Sequence, residues 1–572
     1  MFSVQEVLSK HYPHISKHPL IFRSLSFVLR HLLHEKEIRE FGDTYPHLQG
    51  LDFVEQVLEF FKISYSTRDV EKERIPTSGK VVIIANHPIG SLDALALIKL
   101  ISEIRQDVKV VANDMLMAIK PLNEMLLPVN NMRGNTPSER MQNIEKYLNQ
   151  ESALLIFPAG EVSRLRPNGI RDVRWYGGFL RIAKQTKAPI LPIFVDAKNS
   201  PLFYGVSVFY KPLATLLLVK EMFKRKQRHL PIRIGEIIPF DSFNQRKISK
   251  DHQIKMFKRH LYQVGHDKKG VFTTQTAIAL PEDRQVLQQA IKGQCELLGE
   301  TADGKRICLY KHQCSSPIMR EIGRLREVAF RAVGEGSNRR RDIDHYDNDY
   351  QHIVLWDKEE LEIAGAYRFG DAKYLTEKKG PLGLYSATLF EYGKDMQPYL
   401  DRGLELGRSF VQPKYWGKRS LDYLWYGIGA FLRVNPQYRY LFGPVSISDA
   451  FPKAAKDLLI AFYTQYFTHP HLQAYPKQPY FLSRAAQSPF KGNDYKKDFN
   501  LLKHMLANIG VAIPTLYKQY TETYEPGGVH FLSFNVDPDF NDCVDGLVLA
   551  DITKLKAKKR ERYLGVPSSL NQ

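Results

Sequence analysis

Cysteine is scarce: the 572-residue chain holds four, Cys295, Cys308, Cys314 and Cys543. None stands in a C-x-x-C pair, and Cys308 and Cys314 lack the paired spacing of a zinc site. No metal is therefore expected, and the thiols read as reduced and structural, as in a cytosolic protein. Long apolar runs are missing too. No stretch approaches the ~18 residues that a membrane span needs, and the opening MFSVQEVLSKHYPHISKHPL is too polar for a secretory signal. The expectation is a cytoplasmic protein, peripheral on the inner face of the membrane. Internal repeats and long low-complexity segments are also missing. Acid is the scarcer charge: 62 Asp and Glu against 81 Lys and Arg leave a net +19. That surplus attracts polyanions, whether nucleic acid, anionic headgroups or an acidic protein. The basic runs are scattered and no nucleic-acid motif is recognised, so no nucleic-acid partner is expected.

What is present is a globular composition. Hydrophobic residues at 43% and charged residues at 25% suffice for packed cores, and the length calls for two or three domains of ~100–200 residues. Residues 1–70 read as a helical, amphipathic region. In IFRSLSFVLRHLL, Phe22, Leu25, Val28, Leu29, Leu32 and Leu33 fall at helical spacing. Packing on the next domain competes here with lying on anionic lipid.

Residues 71–275 alternate strand and helix: VVIIAN, DALALIKLISEI, VKVVAN, TPSERMQNIEKYL capped at Thr136 or Ser138, ALLIFPAG, APILPIFV, PIRIGEIIPF. That alternation predicts an α/β domain with a largely parallel sheet. FKRKQRH (Phe223–His229) is a basic loop, solvated or facing a membrane. Residues 276–300 read as a linker. Residues 301–572 predict a mixed α+β domain. Its strands are RICLYKH, HIVLWD, EIAGAYRF, GLYSATLF, LELGRSFVQ and YLFGPVSIS; its helices run over about 319–332 and 418–433.

The first candidate site lies in VVIIANHPIGSLDALALIKL. A histidine just after a buried strand sits at the carboxyl edge of the sheet, where α/β proteins bind ligands. His87 can take a proton near neutral pH, and Asp93 can fix its tautomer. Ser91 reads as a helix cap, so the nucleophile would be a substrate hydroxyl. The competing reading makes Asp93 a helix cap and His87 a packed turn residue.

Four blocks in order strengthen the first reading. NHPIGSLD resembles the His-to-Asp signature of the glycerolipid O-acyltransferases, the lysophosphatidate acyltransferase superfamily, with five residues between His87 and Asp93 where four are usual. LLPVNNMRGN, with Arg133, stands at the family's acceptor-binding motif. FPAGEVSR is similar to its Phe-Pro-Glu-Gly-Thr-Arg block, and APILPIFV to its apolar Pro-containing block. The resemblance implies a His87 base oriented by Asp93, with Arg133, Gly160, Glu161 and Arg164 toward the acceptor. Ala159 replaces the usual glutamate, which implies a different headgroup.

The second candidate site is LREVAFRAVGEGSNRRRDIDHYDND. Asp342, Asp344 and Asp347 are spaced to come together, either to hold an ammonium group or as a solvated charged loop. A calcium site is disfavoured by the spacing. Arg326-x-x-x-Phe330, these three acids, GAYRF with Arg368, and LELGRSFV with Glu405 and Arg408 resemble the acyl-homoserine-lactone synthase and ornithine N-acyltransferase branch of the GNAT fold. PKYWGKRSLDYLWYGIGAFL and VDPDFNDCVDGLVLADI continue the resemblance. It implies Glu405 as a candidate base and the acids, Arg368 and Arg408 as substrate-binding residues. Glu405 paired with Arg408 is the plainer alternative. QPKYWGKRS keeps only Gly417 of the usual pyrophosphate loop. That fits an acyl carrier protein donor over coenzyme A, and an acidic carrier suits the basic chain. Ser446 and Ser448 are candidates for contacting the pantetheine arm, against an ordinary role as strand polar residues. The basic pattern KLKAKKRERYL reads as a solvated helix or a lipid or carrier contact.

The pairing and order of the two halves resemble the bifunctional ornithine lipid synthases. The implied fold is a glycerolipid acyltransferase-like α/β domain followed by a GNAT-like α+β domain. The implied activity joins a 3-hydroxy fatty acyl group to the amine of ornithine, or a similar amino acid, then acylates the 3-hydroxyl. The donor would be an acyl carrier protein or coenzyme A thioester, with no bound cofactor. The substrates would be an amino acid and a lyso-aminolipid, met at an anionic membrane surface. Two other classes oppose this: a lysophospholipid acyltransferase with a non-catalytic, partner-binding second domain, and a non-enzymatic polyanion binder.

Overall fold

The computed structural model describes residues 19–32, 34–113, 116–117, 119–129, 138–167, 169–209, 218–223, 228–244, 248–313, 315–483 and 488–565. Arg133, Thr136, Cys314 and most of the 223–229 basic loop lie outside them. The chain divides into two compact units, Met1–Ala277 and Ile278–Gln572.

The first unit is built on a seven-stranded sheet. Its strands are β1 (Ile63–Ser66), β2 (Val81–Ala85), β3 (Val108–Asn113), β4 (Leu126–Val129), β5 (Ala153–Ile156), β8 (Ile190–Val195) and β9 (Arg228–Ile234), in the order β1-β9-β8-β2-β5-β3-β4. Every pairing is parallel except β8 with β9. A short hairpin, β6 (Arg164–Arg166) and β7 (Gly169–Arg171), stands apart from the sheet. The central strands β2, β5 and β8 are buried along their whole length. A parallel sheet covered on both faces requires this, which is why they read as unbroken apolar runs. Successive side chains alternate between the faces. Val81, Ile83 and Ala85 pack with the helices Gly50–Phe60 and Ser91–Ser102. Val82 and Ile84 pack with Ser138–Asn149, Gly178–Thr186 and Lys250–Gly265. The region read as all helical also supplies β1, which pairs with β9.

In the helix Pro19–Leu32, Phe27 and Val28 are exposed. Among the described residues, no helix is long and apolar enough to cross a membrane.

The second unit carries an eight-stranded sheet. It comprises β10 (Cys295–Glu300), β11 (Arg306–Lys311), β12 (Gln351–Asp357), β13 (Glu362–Asp371), β15 (Gly403–Val411), β16 (Tyr440–Ile447), β18 (Val529–Asp537) and β19 (Cys543–Asp551), ordered β10-β11-β12-β13-β15-β16-β19-β18. All neighbours are antiparallel except β15 and β16. Those two pair only over Gly403–Glu405 with Tyr440–Phe442, leaving the rest of β15 and β16 unbonded to each other. A bulge between Ala366/Arg368 in the β13–β15 register coincides with Arg408 at φ 50°, the extra residue that bends a strand. One face packs on the helices Arg284–Gln294 and Pro317–Ala332. The other packs on Ser420–Val434, Lys453–Phe467, Tyr495–Ile509 and Thr515–Thr523.

Two expectations need correcting. Most of the expected linker is structured: Asp283 caps the helix Arg284–Gln294 by accepting from Gln285 N and Val286 N, and β10 follows directly. GLYSATLF is not a strand of the sheet. It forms the short turns Pro381–Gly383 and Ser386–Thr388 before β14 (Phe390–Tyr392), which pairs with β17 (Ala474–Pro476). Gly380 at φ 69° reverses the chain, and Gly383 lies so close to the Leu375 carbonyl that a Cβ would sit 2.3 Å from it, so local backbone geometry prevails over β propensity.

Candidate active sites

In the first unit, β2 ends at Ala85 and Asn86 clamps its end to β8. Its Nδ2 donates to Val195 O at 2.8 Å and its Oδ1 accepts from Val195 N at 2.7 Å. The chain then turns through His87 to Gly90, whose φ of 100° belongs to glycine, and enters the helix Ser91–Ser102. Asp93, fully buried, faces back along that turn. Its Oδ1 meets His87 Nδ1 at 2.8 Å, and its Oδ2 accepts from Ile89 N at 2.9 Å and Gly90 N at 3.2 Å. The capping reading and the site reading of Asp93 therefore both describe the same side chain.

With Nδ1 engaged, Nε2 is the ring nitrogen left for other partners. The ring lies 4.3 Å from Phe157, centroid to centroid. Burial opposes charging His87, but the carboxylates of Asp93 and Asp172 outweigh it and hold its pKa above the usual imidazole value.

His87 and Ser91 border a cavity of about 1060 Å³. Its walls are mainly apolar, including Phe41, Phe60, Leu95, Ile98 and Phe223, and Gly160, Glu161 and Tyr176 also line it. Gly160, at φ 63°, closes a turn by donating to Phe157 O at 3.0 Å. Glu161 pairs with Arg164 at 3.6 Å. Arg164 is not among the cavity's lining residues: it is buried with its guanidinium 5.3 Å from the Phe203 ring. Arg164, expected toward the acceptor, thus stands behind Glu161 and not on the cavity surface.

In the second unit, the three acids meet three arginines. Arg326 Nη1 donates to both oxygens of Asp347, at 2.9 and 3.1 Å, and its Nη2 lies 2.9 Å from His352 Nε2. Arg368 Nη1 donates to Asp344 at 2.6 Å and Asp347 at 3.1 Å. Arg408 faces Asp342 at 3.3 Å and Asp344 at 3.6 Å. Burial alone would raise the carboxyl pKa values, but Arg368 lowers that of Asp344 and the pair Arg326 and Arg368 holds Asp347 well below the usual range. Burial keeps His352 neutral, its pKa pushed down to about 4, so its Nε2 accepts from Arg326. The acids thus do not stand open to an ammonium group; the arginines neutralise them.

Glu405 does not pair with Arg408. Buried, it accepts from Ser386 N at 2.6 Å, Tyr385 N at 3.1 Å and the Tyr350 hydroxyl. Burial raises its pKa against those donors. Ser446 and Ser448 spend their hydroxyls on Asp545 and the Val333 carbonyl, both at 2.6 Å. This favours their ordinary role as strand polar residues. Where β15 and β16 part, Asp545 and Asp537 stand on one face of β19 and β18 beyond Arg408. Burial raises both, and Asp545 and nearby Glu335 each reach about 7. Reasoning from sequence missed Asp172, His352, Tyr350, Tyr385, Asp537 and Asp545. Polar residues inside otherwise apolar strand patterns, as His352 in HIVLWD and Asp545 in CVDGLVLAD, were the available signal.

An acyltransferase family model matches residues 6–267, and an acetyltransferase (GNAT) domain model matches 325–426. A protein named glycine N(alpha)-acyltransferase from Phocaeicola vulgatus is 28% identical over 303 residues, 50% of this chain and 92% of its own length. A lyso-glycine lipid O-acyltransferase from the same organism is 27% identical over 238 residues, 40% of this chain and 84% of its own. An L-ornithine N(alpha)-acyltransferase from Brucella abortus is 35% identical over 121 residues, 20% of this chain and 41% of its own. Both families act with acyl thioester donors. The chain is therefore an acyltransferase, built as an acyltransferase domain followed by a GNAT domain.

Proposed function

We propose that this chain makes a doubly acylated aminolipid in two steps. The second unit joins a 3-hydroxy fatty acyl group to the α-amine of an amino acid, and the first unit esterifies the new 3-hydroxyl. The observation that carries the reading is the His87–Asp93 pair, with His87 lining a large, mainly apolar cavity, in a chain that also bears a GNAT domain.

For O-transfer, His87 Nε2 takes the proton of the 3-hydroxyl as its oxygen attacks the thioester carbonyl. Asp93 holds the proton on Nδ1 and stabilises the imidazolium. The C–O bond forms, the C–S bond breaks, and the thiolate takes the proton back from His87. The apolar cavity receives an acyl chain at ~0.8 kcal/mol per buried methylene. Gly160 and Glu161 flank the acceptor, and Arg133 is assigned with them. An acceptor without a phosphate suits the loss of the usual glutamate at Ala159.

For N-transfer, the neutral amine attacks the thioester, the amide C–N bond forms and the thiol leaves. We assign Glu405, with Tyr350 bonded to it, as the proton acceptor. Asp342, Asp344, Asp347, Arg368 and Arg408 form the charged wall of that site.

Glycine suits the amino acid better than ornithine. The relative named for glycine is matched over 92% of its length, that named for ornithine over 41%, and the three acids that a side-chain ammonium would need are paired with arginine. The ornithine reading draws on Asp537, Asp545 and Glu335, carboxyls whose pKa values burial raises. The donor is an acyl carrier protein or coenzyme A thioester. The anionic inner face of the membrane is the place of action, with the exposed Phe27 and Val28 between Arg23 and Arg30 as contacts.

Lipid mass spectrometry of cells expressing the intact chain tests the scheme. A phosphorus-free aminolipid with two acyl groups is expected, and its head group identifies the amino acid. The His87→Ala variant should accumulate the singly acylated form. An unchanged product in that variant refutes the O-transfer assignment, and a phospholipid product refutes the scheme.

A further inference from the structure

The first unit holds a second buried carboxylate beside His87. Asp172, 2% exposed, directly follows β7. Its Oδ1 accepts from Ser163 Oγ at 2.6 Å and from the His87 backbone N at 3.3 Å, and its Oδ2 accepts from Trp175 Nε1 at 2.8 Å. Ser163 N in turn donates to His87 O at 2.8 Å. One segment thus grips the His87 residue from both sides, its N–H through Asp172 and its carbonyl through Ser163. The segment is itself anchored. Asp172 N donates to the Tyr262 hydroxyl at 2.8 Å, and Lys258 Nζ donates to the carbonyls of Asp172 and Val173 at 2.7 Å each. Burial raises the Asp172 pKa above the usual carboxylate value, against the three hydrogen bonds that its carboxylate accepts, from Ser163, Trp175 and the His87 backbone, each of which favours the ionised form.

We infer that Asp172 is a positioning residue for His87: it sets the place of the imidazole-bearing turn and, together with Asp93, favours the imidazolium that forms during O-transfer. The inference rests on the reading of His87 as the base. Asp93 faces the ring from the helix Ser91–Ser102, and Asp172 bears on it from the segment after β7. Glu161 and Tyr176 share its cavity, while Lys258 and Tyr262 bear on Asp172 itself and Arg171 lies over the Tyr262 ring. The carboxylate therefore reaches the chemistry only through His87.

Diethyl pyrocarbonate modifies neutral imidazole, so the pH midpoint of His87 modification in the full chain, read by peptide mass spectrometry, reports its charge with no acyl substrate present. The His87 side chain is 19% exposed and within the reagent's reach. In Asp172→Asn the midpoint should fall by about one pH unit, because an anion that favours the imidazolium has been removed. O-transfer from palmitoyl-coenzyme A to N-(3-hydroxypalmitoyl)glycine should fall on the order of ten-fold. Ser163→Ala keeps the charge and loosens the grip. It should leave the midpoint in place, accelerate modification at high pH and lower the transfer rate. An unchanged midpoint in folded Asp172→Asn overturns the inference. So do native transfer and modification rates in Ser163→Ala, which decide the matter if Asp172→Asn does not fold. If the aminolipid scheme is wrong, the probe is not acylated while the midpoint shift persists, which separates the two failures.

Discussion

The sharpest perturbation of the first site is Asp93→Asn, because the structure dictates how the amide must sit. All three groups that Asp93 contacts are donors in the functional tautomer: His87 Nδ1–H at 2.8 Å, Ile89 N at 2.9 Å and Gly90 N at 3.2 Å. An asparagine has one acceptor oxygen for them. Turning its NH2 toward the turn leaves two buried amides facing a donor, at about 1–3 kcal/mol each. Turning its oxygen there preserves both bonds and presents NH2 to His87. The second orientation wins by roughly 2 kcal/mol or more. The imidazole must then accept at Nδ1 and carry its proton on Nε2, the atom required as base.

O-transfer should therefore drop by about 10³–10⁴-fold. Stability should fall by only about 1.5–3 kcal/mol, the worth of one hydrogen bond to a charged group. The pH profile carries a second signature. His87 acts as base when neutral, and its pKa is raised in the native chain, so kcat/KM falls as pH drops through that raised value. Without the Asp93 charge the acid limb of the residual activity moves to lower pH. The assay is transfer to N-(3-hydroxypalmitoyl)glycine by the full chain across pH 5–9, with urea unfolding alongside and N-transfer as internal control. A folded variant within about ten-fold of the native rate would refute the tautomer argument and the base assignment together.

Three further outcomes are expected. Glu405→Gln should lower N-acyl transfer by about 10²–10⁴-fold and leave esterification of a supplied N-(3-hydroxyacyl) amino acid intact; equal loss of both activities would point to general destabilisation. Arg326→Met takes from the buried Asp347 the arginine that bonds both its oxygens, leaving it only Arg368 and one charge of the cluster uncompensated, and should cost about 3–5 kcal/mol by urea unfolding. Asp344 and Asp347 titrate below their unfolded values. Their contribution is therefore complete above the unfolded carboxyl value near 3.9 and lost as pH falls through the folded ones. The native chain should lose stability steeply there, and the Arg326 variant less so. Ala94, on the cavity wall, offers a way to shorten the space: Ala94→Phe should move acyl preference toward shorter chains, by about four-fold in relative kcat/KM per excluded methylene. An unchanged chain-length profile would remove the acyl chain from this cavity.

Much of the first unit was legible because its signals are local. β2, β5 and β8 are continuous apolar runs bounded by turn residues, and His87 and Asp93 are close enough in sequence for one loop to join them. What the sequence hid there came from longer range. Asp172 reaches His87 across 85 residues, and no spacing rule covers that distance. Arg164 lies in a motif yet packs against Phe203, because burial of its guanidinium depends on where the helix Pro201–Phe209 falls.

The second unit shows why a cluster of acids cannot be interpreted from its own segment. Asp342, Asp344 and Asp347 follow three arginines in sequence, Arg339, Arg340 and Arg341. They pair instead with other arginines: Arg326 on the preceding helix, Arg368 on β13 and Arg408 on β15. The choice follows from desolvation. A carboxylate drawn into the interior needs a cation drawn in with it, and Arg326 and Arg368 are each 1% exposed. Three charges of each sign then cancel among the six. Asp537, Asp545 and Glu335, beyond the point where β15 and β16 part, are instead pushed by burial toward their neutral forms. A cationic group brought beside them would restore their ionised forms, so a product carrying a second amine would fit those three acids, whereas a glycine product would leave them to regulate the protonation of the attacking amine. Replacing Asp545 with asparagine separates the two. It should raise KM selectively for an amino acid with a cationic side chain in the first case, and shift the pH optimum of glycine acylation in the second.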